Sequence, residues 1–281
     1  MPEYGHCKLT RKKGRFVKSH IIPRALTDLA LDKVARIQYG GGNDRPSLRF
    51  TSWYDESLVI DEGEQKLAKI DDDAIKVIEK LGIAWRYFPL KQENVSRTNI
   101  DGTDFEIIQI QTDGQPVLKL FFLSLLWRAS FSSRQECSTI RIDILSREKL
   151  RKIVNGEIKP GFADFPCVLV LMTTVGPPQV DTPRRDRMAV PQLAPNIRPM
   201  EKIFRFFLNG LIVHMGRKAS DFRLAENWQW RSVGVSKKLT LIGRPYEESR
   251  QMEVIDSLED ELEMKWPEQA KKIYGVIEKH G

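Results

Sequence analysis

The chain has little cysteine: three residues, Cys7, Cys137 and Cys167, far apart and odd in number. That excludes a disulfide framework and points to a reducing compartment. Long apolar runs are also missing. The longest, "PVLKLFFLSLLW" at 116–127, is interrupted by Lys119 and falls short of the roughly 20 residues a bilayer span needs. It reads instead as a buried helix. The N-terminus is polar and basic, without the apolar stretch of a secretory signal, so the expected location is cytoplasmic, with no membrane partner. There is no phosphate loop, no G-x-G-x-x-G and no G-x-S-x-G, which removes support for the nucleotide and serine-hydrolase chemistries those motifs carry. Histidine is scarce too, with only His6, His20, His214 and His280.

What the sequence does have is a lopsided charge. Of its net +7, the first 50 residues carry everything: 11 Lys/Arg against 4 Asp/Glu, with 34 of each in the remaining 231 residues. A localised basic excess is the footprint of a polyanion partner, because clustered Lys and Arg neutralise phosphates and release counterions. Nucleic acid is the expected partner.

The hydrophobic pattern predicts a mixed α+β protein in two parts, an N-terminal module over 1–82 and a larger mixed domain over 83–281. "RFVKSHII" alternates as a half-buried strand, and Pro23 ends it. "RALTDLALDKVARIQ" has helical spacing, and "YGGGND" is a loop. "SLRFTSWYD" reads as a second strand and "ESLVIDEGEQKLAKI" as a helix. The Asp71–Asp73 run opens a further helix that Gly82 caps. Beyond it, "FEIIQIQ", "VLVLMTTV", "IFRFFLNGLIVHMG" and "KKLTLIG" read as strands, and "REKLRKIVNG" as a helix. Residues 176–199 hold six prolines and are expected to be irregular. Two acidic amphipathic helices close the chain, the last starting at Pro267.

Among the histidines, His280 is next to the end, and His6 beside Cys7 cannot define a metal site alone. His214, in the apolar "GLIVHMG", reads as structural. His20 stands in "SHIIP", inside the basic segment. "CKLTRKKGRFVKSHIIPRAL" resembles the first strand of the HNH, or His-Me finger, endonucleases, in which a Cys-x-x-Cys knuckle precedes a strand ending in histidine, two apolar residues and proline. "LVIDEGEQKL" resembles the start of the helix in the same motif. The resemblance covers residues 7–70 and fits a divergent bacterial subgroup, since only Cys7 of the four knuckle positions is cysteine. Thr10, Ile60 and Gly63 occupy the others, so no complete structural zinc site is expected.

The resemblance implies an N-terminal ββα-metal module and a divalent-metal-dependent DNA endonuclease, of a kind often found in phage defence. His20 would be the general base, a role that an imidazole titrating near neutrality suits. One Mg²⁺ or Mn²⁺ would serve the scissile phosphate. Glu64 is the first candidate ligand, with Asp55 and Ser19 as others. Ser19 stands where many relatives have aspartate, and Asp55 also reads as a helix N-cap. Asn43 is the candidate for the asparagine that buttresses the histidine backbone. Lys12, Lys13, Arg15, Lys18 and Arg24 flank His20 as phosphate contacts, the partner being DNA, expected double-stranded, and a homo-oligomer is compatible with this reading. Trp53 and Tyr54 suit core packing or base stacking. Arg184, Arg185 and Arg187 offer a second contact, and Arg128, at the end of an apolar helix, should satisfy a buried carboxylate or carbonyl. The competing expectation is a non-catalytic nucleic-acid-binding or regulatory protein on a decayed motif.

Overall fold

The computed structural model describes residues 3–27, 36–39, 47–49, 53–91, 95–161, 163–177, 180–187, 202–216 and 231–280. The protein is mixed α+β, as the pattern implies. Strand β1 (Tyr4–His6) pairs antiparallel with β2 (Lys13–His20), and β2 pairs antiparallel with β5 (Tyr54–Ile60). Helix α1 (Asp61–Leu81) starts at the next residue. Its first turn carries Asp61, Glu62 and Glu64, which favour the positive end of the helix dipole. Gly82, in the left-handed region at φ 69°, closes it.

Several boundaries differ from the sequence pattern. Where a helix is expected over residues 24–38, the described residues hold a 3-10 turn at Arg24–Leu26 and the strand β3 (Arg36–Tyr39); residues 28–35 lie outside the described set. Here strand pairing overrides the helical spacing, for β3 lies between β4 (Ser47–Arg49) and β9 (Val180–Asp181). "SLRFTSWYD" is therefore two strands in different sheets. Leu58 and Val59 lie in β5 rather than on a helix, since Leu58-Val59-Ile60 is buried on both faces, as suits a covered strand. The two helices expected over 56–81 are one helix of 21 residues, with the Asp71–Asp73 run inside it. In the proline-rich segment, β9 and β10 (Arg184–Arg187) are regular, and β10 is an edge strand, where proline before the strand is tolerated.

The larger sheet has seven strands in the order β10, β11 (Lys202–Leu208), β12 (Leu211–Met215), β8 (Cys167–Met172), β13 (Lys238–Arg244), β7 (Glu106–Gln111) and β6 (Val95–Asn99). Only β8 and β13 pair in parallel. Helix α2 (Gln115–Phe131) is buried on all sides and packs against α1 and α3 (Ile144–Val154). An all-round apolar helix has to be enclosed in this way. One cluster of buried residues runs from Cys7 to Leu241, so residues before and after 82 share a core. Helices α4 (Arg250–Lys265) and α5 (Pro267–His280) pack on each other around Ile255, Leu262, Ala270 and Ile273. Among the described residues no helix is long and apolar enough to cross a membrane.

The turn between β11 and β12 ties the sheet to the rest. Asn209 and Gly210 lie at φ 56° and 86°, the pair of left-handed residues that a two-residue hairpin prefers. The Asn209 carbonyl accepts from Trp85 N, its side chain accepts from Arg86 N, and a Cβ on Gly210 would meet the Trp85 indole at 2.3 Å. Gly210→Ala should therefore cost about 2–4 kcal/mol, from left-handed strain and overpacking together. Urea unfolding should show a lower midpoint with an unchanged slope.

Candidate functional site

The site grows from an irregularity in one ladder. Between β2 and β5 the register runs Phe16–Ile60 and Val17–Val59, then jumps to Ser19–Asp55 and His20–Tyr54. Glu56, Ser57 and Leu58 thus face a single residue, Lys18. Such a bulge re-aims the side chains beyond it. Asp55 holds the bulge in place. Its Oδ1 accepts from Ser57 N and Oγ at 2.7 and 2.9 Å, and its Oδ2 from Ser132 Oγ at 2.7 Å and from Ser133 N and Oγ at 3.1 and 3.4 Å. These bonds tie β5 to the chain leaving α2. They outweigh the burial that would raise the carboxyl, so its pKa is lowered. Asp55 consequently lies within a strand rather than at a helix start, and both of its oxygens accept hydrogen bonds.

Beyond the bulge, Ser19 and His20 diverge. Ser19 is 1% exposed and lies beside Glu64 of α1, close enough to lower that carboxyl's pKa, yet short of a full hydrogen bond. Both Ser19 Oγ and Glu64 Oε2 are buried without a hydrogen-bond partner. Burial is the main influence on Glu64 and raises its pKa; Asp71 and Asp61 raise it further, against Ser19 and Arg128. A buried carboxylate with a hydroxyl beside it has the oxygen donors that a hard cation prefers. Mg²⁺ commonly takes one or two carboxylates and completes its shell with water and substrate phosphate, so Glu64 and Ser19 fit an ion that arrives with a phosphodiester. Among the described residues no three His, Cys, Asp or Glu side chains converge on one point.

His20, half-buried at the end of β2, packs edge-on against Tyr54 with ring centroids 6.2 Å apart. Lys18 Nζ lies 4.7 Å from the centre of the same tyrosine ring. Burial is the first cause that lowers the His20 pKa, followed by the charges of Arg128, Arg24 and Lys18. The imidazole is therefore neutral and surrounded by cations, which suits a base beside an anionic substrate. Arg128, 1% exposed, donates to the His20 carbonyl at 3.4 Å, to the Leu67 carbonyl at 3.4 Å and to Asp71 at 2.7 Å. The expectation that this arginine satisfies a buried carboxylate or carbonyl is met in both forms.

The other basic candidates are distributed unevenly. Lys12 pairs with Glu62 at 2.8 Å, Lys18 with Glu56 at 3.7 Å, and Lys13 lies 6.0 Å from the Tyr4 ring. Arg15 and Lys18 line a cleft of about 1050 Å³ with Tyr54, Glu56, Ser133 and Arg134. The cleft opens beside the bulge and contains neither His20 nor Glu64, and its acidic and basic groups balance. It is therefore the neighbour of the candidate centre and not the centre itself. Asn43 lies outside the described residues, and Arg184, Arg185 and Arg187 lie on the edge strand β10. His214, opposite Arg205, is half-buried with its Nδ1 enclosed, and its pKa is pushed down to about 3 by desolvation and by that arginine. Sequence reasoning missed Asp71 as the partner of Arg128 and Ser132 and Ser133 as those of Asp55; their signal lies only in tertiary contacts.

Comparison with protein-family models, with curated proteins and with solved structures found no match to this chain.

The Asp55 knot gives a pH-dependent stability with a definite sign. A carboxylate whose pKa is lowered by folding stabilises above its unfolded value, near 3.9, and that contribution fades as pH falls through the folded value. Asp55→Ala should cost about 2–4 kcal/mol between pH 5 and 8, since it strands buried donors. The gap to the wild type should narrow below about pH 4. Urea unfolding as a function of pH measures it, and a gap that stays constant to pH 3 would remove the carboxylate charge from the account.

Proposed function

We propose that this protein is a divalent-metal-dependent DNA endonuclease of the HNH type, with His20 as general base and without the structural zinc of that family. The observation that supports the reading is the contact among positions that the resemblance would assign to a knuckle. Thr10 N donates to Cys7 Sγ at 3.3 Å, and a Cβ on Gly63 would meet the same sulfur at 2.9 Å. Three of the four knuckle positions thus touch, at the foot of the β2–β5 pair and the first turn of α1. Cys7, Leu9 and Ile60 fill the space with apolar packing.

In this reading the neutral His20 takes a proton from the attacking water. Glu64 and Ser19 would hold Mg²⁺ or Mn²⁺, which when bound neutralises charge on the scissile phosphate. Lys12, Lys13, Arg15, Lys18 and Arg24 would contact the backbone of double-stranded DNA. Ser19 in the place of an aspartate favours a second reading, a non-catalytic nucleic-acid-binding protein on the same module.

Nicking of supercoiled plasmid in Mg²⁺ or Mn²⁺ separates the two. His20→Ala should reduce cleavage about 10²–10⁴-fold, the usual contribution of a general base, with DNA binding retained. Equal cleavage by both proteins would remove His20 from the mechanism; salt-sensitive binding without cleavage by the wild type would favour the second reading. The knuckle has a test of its own that needs no activity. The triple variant Thr10→Cys, Ile60→Cys, Gly63→Cys should bind about one Zn²⁺ with Cys7, and Co²⁺ should give the visible absorption of a tetrahedral thiolate site. A variant that folds and binds neither ion would refute the knuckle assignment.

A further inference from the structure

We propose that Arg128 is a positioning residue for His20, supplying from outside the motif the backbone support that the family resemblance assigns to an asparagine. The inference rests on the endonuclease reading. His20 is the last residue of β2; beyond it Ile21 N donates to Trp53 O, and Pro23 follows two residues later. At that strand end the His20 carbonyl accepts from Arg128 Nη1, while Arg128 Nη2 serves Asp71 and the Leu67 carbonyl on α1. One guanidinium therefore fixes the strand end bearing the base against the helix bearing Glu64.

The geometry points to positioning rather than to simple charge pairing. An arginine placed only to neutralise a carboxylate does best as a bidentate fork. Arg128 gives Asp71 a single nitrogen, directs its other arm to the histidine backbone, and leaves its Nε buried without a partner. The other buried cation of α2, Lys119, shows the alternative: it is satisfied by the Phe165 carbonyl and reaches no candidate residue. Arg128 also bears on both chemical groups through space, holding the proton off His20 and favouring ionised Glu64.

The test is plasmid cleavage by Arg128→Lys beside Asp71→Asn. Lysine retains the charge and the reach to Asp71 but lacks the planar fork that spans two elements. Arg128→Lys should lower kcat about 10–100-fold, the scale of a sub-ångström to 1 Å misplacement, with KM and DNA affinity within about twofold. Asp71→Asn, which leaves the bond to His20 in place, should lose far less. If circular dichroism shows Arg128→Lys unfolded, the charge-neutral double variant Arg128→Gln/Asp71→Asn is compared with Asp71→Asn instead. Wild-type kcat in Arg128→Lys, or an equal loss in Asp71→Asn, overturns the positioning role alone. A wild type that binds but does not cleave DNA overturns the endonuclease reading and this inference with it.

Discussion

A single buried guanidinium sets the relative placement of the elements that matter. Arg128 stands at the last turn of a largely apolar helix and joins α2, α1 and the end of β2 through one planar group. Its net contribution to stability is small, because desolvating both charges offsets most of their attraction. Removing one partner is another matter and costs about 3–5 kcal/mol. The value of such a pair lies in geometry: apolar contacts alone let α2 slide against α1, whereas a donor shared by three acceptors admits one register. After burial, the same guanidinium also bears on the electrostatics, lowering the pKa of His20 and opposing the rise at Glu64.

Asp55 complements this arrangement from the other side of the ladder. Its bonds to Ser57, Ser132 and Ser133 stabilise the bulge in the β2–β5 ladder. With a regular register each residue beyond Val17 would meet a different partner, and Ser19 and His20 would change neighbours. The chain leaving α2 is thus bound twice to the N-terminal strands, at Asp55 and through Arg134 Nη1 to the Tyr54 carbonyl. Lys8 Nζ adds a third tie, to the Phe131 carbonyl. The basic N-terminal strands and the apolar helix that follows later in sequence form one structural unit.

This division explains what the sequence made legible. Period-two alternation in "RFVKSH", the Gly82 cap and the proline opening α5 are local signals, and each element lies where its signal places it. The failures sit where a local pattern had two solutions. Leu58, Val59 and Ile60 suit a buried strand as well as a helix face, and only pairing with β2 chooses between them. The run Asp71–Asp73 reads as a helix start because acidic residues prefer one; it lies mid-helix because Asp71 answers a cation 57 residues away. Asp55 likewise looks like a helix cap until its strand and its bonds to Ser132 and Ser133, far along the chain, are seen. His20 and Glu64 were legible as residue types at a spacing, whereas the groups that tune them were not.

The basic excess of the first 50 residues also changes meaning in the fold. Arg11 pairs with Glu148, Lys12 with Glu62 and Lys18 with Glu56, so a good part of that charge is already answered. These pairs are solvent-exposed, and exposed pairs of this kind contribute about 0–1 kcal/mol. A phosphate can therefore displace Glu62 or Glu56 at little cost, while the buried pairs at Arg128 and Arg205 are beyond its reach. The exposed ion pairs can exchange partners cheaply, whereas the buried pairs at Arg128 and Arg205 cannot, because breaking one leaves a desolvated charge unanswered.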